Sequence, residues 1–231
     1  RREPTAPRQR ALLALMLCSV GEPLSNDRIL EQLWGDDLRE GGTKTVGFHL
    51  SKLRDALEPD RERGSEGSLI KTTPAGYVLD VDPAAVDLHR FERLADEAGA
   101  LIATDPGRAS LLARDALGLI RGPILAEFEY EEFAQETIRR LDERRLRVLE
   151  TRIEADLALG RHADVIPELE LLVARNPLRE GLRASLILAL YRAGRQAEAL
   201  RIFEDGRRIL AGELGIDPSR ALRDLEQQIL D

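Results

Sequence analysis

Apolar residues recur along this chain with helical spacing almost throughout, and one short stretch alternates as strands do. Ala11 to Val20 is a strongly apolar run headed by Pro7, Arg8, Gln9 and Arg10, and Gly21-Glu22-Pro23 closes it, which predicts a first helix. Ser25 is placed to cap a second helix whose Ile29, Leu30, Leu33 and Trp34 share one face, with Gly35 as its stop. Gly41-Gly42 predicts a turn, and Thr43 a cap for a third helix from Lys44 to Leu57. A polar loop from Glu58 to Gly67 follows. Leu69 to Thr73 and Tyr77 to Val81 then read as two strands joined through Pro74-Ala75-Gly76. Three helices and a hairpin form the order of a winged helix-turn-helix.

From Pro83 onward no strand pattern appears, and Pro and Gly divide the sequence into about seven helices. The longest, about Glu132 to Leu159, carries two apolar stripes: Ile138, Leu141, Val148, Ala155 and Leu159 on one, Leu146, Leu149, Ile153 and Leu157 on the other. Such a helix packs against neighbours on two sides. Gly160-Arg161-His162-Ala163 returns as Gly194-Arg195-Gln196-Ala197, 34 residues later, and Leu169 precedes Phe203 by the same interval. That is the period of tetratricopeptide helix pairs. The expected fold is therefore mainly α: a winged-helix domain over residues 1–82, then an all-α TPR-like domain over 83–231.

Charge sharpens this division. The net charge is −8. Residues 1–80 hold 12 basic and 13 acidic side chains, a net of −1, whereas residues 81–231 hold 22 and 29, a net of −7. The second half thus repels phosphate, and any duplex-binding surface belongs to the first. It is expected to fold alone, without affinity for DNA.

The third helix supplies a candidate surface. At 100° per residue Val46, Leu50, Leu53 and Leu57 form a continuous apolar stripe. Lys44, Thr45, Phe48, Ser51, Lys52 and Asp55 fall on the opposite side, with Arg54 on one flank and His49 on the other. Lysines and an arginine there also suit a merely solvated face. Phe48 does not, because an aromatic ring gains nothing in water, while on a groove-facing helix it can pack on a thymine methyl. Its alternative partners are the polar loop or a segment preceding Arg1. Lys71, just before the hairpin turn, offers a second basic arm.

Other chemistries find no support. Cys18, the only cysteine, reads as a small buried hydrophobe, and His49, His89 and His162 lie far apart with no metal-ligand spacing. Gly41-Gly42-Thr43-Lys44-Thr45 only superficially suggests a phosphate loop, since Thr43 separates glycine from lysine and the upstream glycine is missing. No nucleophile elbow or catalytic triad is visible, so no enzyme activity and no cofactor are expected. No membrane span or signal peptide is apparent, which leads to the expectation of a cytoplasmic protein. Arg1 stands where a methionine is usual and a helical pattern begins by Arg8, so an N-terminal segment is expected to precede it.

The stretch Thr45 to Pro59, with Thr72-Thr73-Pro74-Ala75-Gly76-Tyr77-Val78-Leu79, resembles the recognition helix and wing of OmpR-type winged-helix domains. Five later segments resemble the bacterial transcriptional activation domain: Asp87-Leu88-His89-Arg90-Phe91, Arg121-Gly122-Pro123, Asn176 to Glu180, Tyr191 to Leu200, and Glu213 to Pro218. This pair in this order resembles the antibiotic regulatory proteins called SARPs. The resemblance implies a transcriptional activator that binds direct repeats at promoters, often in a biosynthetic gene cluster, and recruits RNA polymerase with its sigma factor. It implies protomers side by side or as a dimer on DNA. By position, Thr45, Phe48, His49, Lys52 and Arg54 would face the duplex. Thr73 would take a wing position where OmpR-type domains often have arginine, a departure that weakens a minor-groove contact. The strands that precede the first helix in that family are absent. Two alternatives stay open: the DNA-binding and docking portion of a larger signalling regulator, for example one with an ATPase module, and a helical-repeat scaffold, which leaves the third helix unexplained.

Overall fold

A computed structural model describes residues 4–35, 42–60 and 68–231. Gly41 and most of the expected polar loop, residues 61–67, lie outside them. The described chain forms α1 (Pro7–Leu17), α2 (Asn26–Trp34), α3 (Gly42–Leu57), β1 (Ile70–Thr73), β2 (Gly76–Leu79), α4 (Asp87–Leu101), α5 (Pro106–Leu119), α6 (Glu132–Ala158), α7 (His162–Arg175), α8 (Glu180–Arg192), α9 (Gln196–Leu214) and α10 (Arg220–Leu230). Its architecture is a winged helix followed by seven helices, with short 3-10 turns at Pro83–Ala85 and Ala126–Phe128. None of the described helices is long and apolar enough to cross a membrane.

Residues group into two compact units, 1–93 with 118–145, and 94–117 with 146–231. The unit that holds the winged helix thus also takes in residues 83–93 and 118–145. In the first unit α1, α2, α3 and the hairpin close over Leu12, Met16, Leu24, Ile29, Val46, Leu50, Leu53 and Ile70, all essentially without exposure. Phe128, Phe133 and Ala134 join this same core.

Local chemistry accounts for the element ends. Ser25 accepts the Arg28 N–H at 3.1 Å, as an N-cap does, and Gly35 ends α2 at φ 55°. Two ends differ from expectation. α1 stops at Leu17 because the Gly21 N–H donates to the Leu79 carbonyl, which ties the segment after α1 to the hairpin instead of the helix. α3 begins at Gly42, so Thr43 lies in its first turn and is not its cap.

In the second unit the end of α6 and helices α7 to α10 enclose Ile153, Leu169, Leu182, Leu186, Ile187 and Phe203. The 34-residue interval is visible in the backbone. Gly160 and Gly194 share φ near +80°, the N–H groups of Arg161 and Arg195 donate to Asp156 and Leu190, and those of Gly160 and Gly194 to Leu157 and Tyr191. These are equivalent helix ends, each closed by a left-handed glycine. Leu159 is exposed, not part of a buried stripe, because it falls in the turn that this glycine closes.

Where the first repeat differs chemically, at Asp156, the second has Leu190. The Asp156 carboxylate is 1% exposed and accepts from Ser110 Oγ at 2.8 Å, Arg114 at 2.6 Å, Arg152 at 3.1 Å and Arg161 at 2.9 Å. Burial works to raise its pKa, but the Ser110, Arg114 and Arg161 hydrogen bonds outweigh burial and hold it below the usual carboxylate range. Arg152 also pairs with Glu168 of α7, so one carboxylate joins α5, α6 and the turn into α7.

Candidate nucleic-acid interface

α3 turns Val46, Leu50 and Leu53 wholly into the core, which aims its other face outward. On that face Phe48 is 57% exposed, and the Lys52 ammonium lies 5.9 Å from its ring centre, one turn further on. Lys44, Ser51 and Lys52 are exposed, and Thr45 is half-buried. Among the described residues Lys44 and Lys52 form no ion pair, so two uncompensated ammonium groups flank an exposed ring. A cationic helix face with an aromatic centre suits a groove of stacked bases between phosphates.

His49 turns away from this face. It is half-buried, with its ring centre 5.4 Å from that of Trp34 and 5.4 Å from that of Phe48. Burial, followed by the nearby Arg8 charge, lowers its pKa and favours the neutral imidazole. Arg8 in turn stands over the Trp34 ring at 5.9 Å. His49 of α3 thus lies between the Trp34 ring of α2 and the Phe48 ring.

Arg54, expected as a free cation on the flank, is engaged within the fold. Its Nε and Nη2 donate to the Ile70 carbonyl at 3.0 and 2.8 Å, and Nη2 also donates to Thr72 Oγ1 at 3.0 Å. One turn later Glu58 accepts from Ser68 Oγ at 2.8 Å and from the Leu69 N–H at 3.1 Å. The last turns of α3 thus clamp the start of β1. Glu58 was missed as a site residue, although its place four residues after Arg54 and just ahead of the loop is a signal the sequence contains.

The hairpin pairs Ile70 with Leu79 through Thr73 with Gly76, leaving Pro74 and Ala75 at the tip. Thr73 Oγ1 donates to the Gly76 carbonyl at 3.0 Å, and Lys71 pairs with Asp80. Lys71 stays exposed while so paired, and Thr73 is half-buried. Gly76 adopts φ +131° and a Cβ there would sit 2.1 Å from the Leu24 carbonyl oxygen. Only glycine permits the close approach in which Leu24 and Tyr77 exchange N–H···O bonds of 2.9 Å each. The wing is consequently held on both sides, by α3 and by the Leu24 segment.

Comparison with known proteins places this geometry. Residues 2–79 match the family described as Transcriptional regulatory protein, C terminal, and residues 86–230 match Bacterial transcriptional activator domain. The chain belongs to the SARP family of transcriptional regulators.

Among SARP relatives, it is 42% identical over 226 residues to the regulatory protein AfsR of Streptomyces coelicolor, covering 97% of this chain and 22% of AfsR. It is 35% identical over 233 residues to the regulatory protein DnrI of Streptomyces peucetius, covering 98% of this chain and 85% of DnrI. The solved structure of Mycobacterium tuberculosis EmbR in complex with a low affinity phosphopeptide matches with a TM-score of 0.90 at 32% identity, over 99% of this chain and 60% of that one. The chain thus spans about a fifth of AfsR and three fifths of EmbR.

Proposed function

We propose that this SARP chain is a sequence-specific DNA-binding activator, with α3 lying in the major groove and the hairpin against the adjacent backbone. The observation that carries this reading is the exposed Phe48 and Lys52 pair on a helix whose opposite face is wholly buried. Phe48 and Lys52 read base edges, Lys44, Thr45 and Ser51 lie along the same face, and Arg54 acts by fixing the wing. Lys71 and Thr73 bring the hairpin to the sugar-phosphate backbone. With few cations per protomer, tight binding draws on several protomers on direct repeats, as adjacent copies or a dimer. The helical residues from 83 onward, with their net negative charge, contact RNA polymerase and its sigma factor at promoters of a biosynthetic gene cluster. The activity needs no cofactor and no catalysis, and it belongs in the cytoplasm.

The length of AfsR and of EmbR favours a second reading, in which these residues are the DNA-binding and docking portion of a larger regulator, for example one with an ATPase module. Footprinting on the upstream DNA of the chain's own gene neighbourhood tests the first reading. Protection of regularly spaced repeats is expected, and uniform or absent protection would overturn it.

A further inference from the structure

The first unit holds a cavity of about 410 Å³ for which DNA recognition has no use. This is within the range of small-molecule sites, roughly 300–1,000 Å³. Its walls are largely apolar and come from the end of α1, the start of α4, residues 119–125 and α6, with Leu17, Phe91 and Leu141 among them. A void lined by such side chains forfeits dispersion contacts that an apolar occupant would restore.

Two charges border it. Asp87 is engaged in the first turn of α4, where its Oδ1 accepts the Leu88 N–H at 2.9 Å and its charge offsets the helix N-terminus. Arg121 is exposed and has no ion pair or hydrogen bond among the described residues. Both belong to segments singled out in the sequence, Asp87 to Phe91 and Arg121 to Pro123, and the fold brings these together here. Leu125, also in the wall, has φ +49° and is the one non-glycine residue with positive φ among those described. A leucine in that conformation is strained, and strain of this kind is found at ligand clamps.

We propose that this cavity binds a small apolar carboxylic acid, its body against Leu17, Phe91 and Leu141 and its carboxylate on the Arg121 guanidinium. One free guanidinium beside an apolar chamber matches one planar carboxylate on an apolar body. The floor formed by α1 packs directly on α3, so an occupant lies one helix from the DNA-facing side chains. Any effect on operator affinity rests on the reading of α3 as the recognition helix; binding itself does not.

Cys18, the chain's only cysteine, lines the cavity and is half-buried, which provides a reporter. Burial pushes its thiol pKa up, against a hydrogen bond with Thr137, so its alkylation is followed at mildly alkaline pH. The whole chain, without DNA, is treated with iodoacetamide in the presence of octanoate or octanol, and calorimetry with octanoate measures the same binding independently. Octanoate is expected to slow alkylation roughly tenfold at about ten times its Kd, and octanol much less. Arg121→Gln should remove that difference while Arg121→Lys keeps part of it, and circular dichroism should show both variants folded. Equal protection by octanol and octanoate would overturn the assignment to an acid. No protection and no heat of binding at any soluble concentration would overturn the site, whatever the outcome of the footprint.

Discussion

Replacing Arg54 by alanine removes three hydrogen bonds that join α3 to β1, two of them to one carbonyl. A charged donor contributes about 1.5–3 kcal/mol per buried bond, but Arg54 is partly exposed and two of its bonds share an acceptor, so the set is worth about 1–2 kcal/mol. The melting temperature of the first unit should fall by roughly 3–6 °C. Amides of the hairpin, Lys71 to Val78, should exchange faster than those of α1. With the wing released, affinity should drop by up to about tenfold on every DNA sequence, operator and random alike. Hydrogen exchange, thermal melting and a shift assay over a range of salt concentrations measure these together. If stability and hairpin exchange stay unchanged while the salt slope of binding falls by about one, Arg54 contacts a phosphate directly and the clamp is not its role.

Asp156→Asn should destabilise the second unit by about 2–4 kcal/mol, because it leaves buried Arg152 short of a counter-charge, and chemical denaturation checks this. Since the folded carboxyl has a lowered pKa, its contribution is fully present above the unfolded value near 4 and is lost as pH falls through the lower folded value. Wild-type and variant melting curves should therefore converge under acid. Gly206→Ala places a Cβ 2.3 Å from Arg183 Cδ and should displace that buried side chain from the Ile202 and Pro177 carbonyls, a loss of about 2 kcal/mol or more in denaturant melts. Cutting the chain at residue 82 should uncover Phe128 and Phe133, so the fragment 83–231 is expected to bind more of a hydrophobic dye than the intact chain.

Helical phase made much of this architecture legible. The stripe Val46, Leu50 and Leu53 located the buried face of α3 without tertiary information, because one amphipathic helix carries its own orientation. The Ser25 cap and the Gly160 and Gly194 helix ends were equally legible, being set by local backbone chemistry. What escaped were contacts between segments far apart in sequence. Arg54 looks like any flank cation until β1 lies beneath it, and nothing at Leu24 announces its exchange of hydrogen bonds with Tyr77. The position of residues 118–145 in the first unit was hidden for the same reason: Phe128 and Phe133 are isolated among glutamates in the sequence, and an apolar side chain there states at most that it is buried, not against what.

In the proposed function the outer face of α3 reads base sequence. Shift assays with Phe48→Ala and Lys52→Ala, on the footprinted operator and on random duplex, test it most directly, with melting curves as control. Because Phe48 and Lys52 are exposed, the melting temperatures should hardly move. Each substitution should cost on the order of 1–3 kcal/mol on the operator and much less on random DNA. Unfolding of the Phe48→Ala variant, or equal weakening on both DNAs, would contradict the assignment of base recognition to this face.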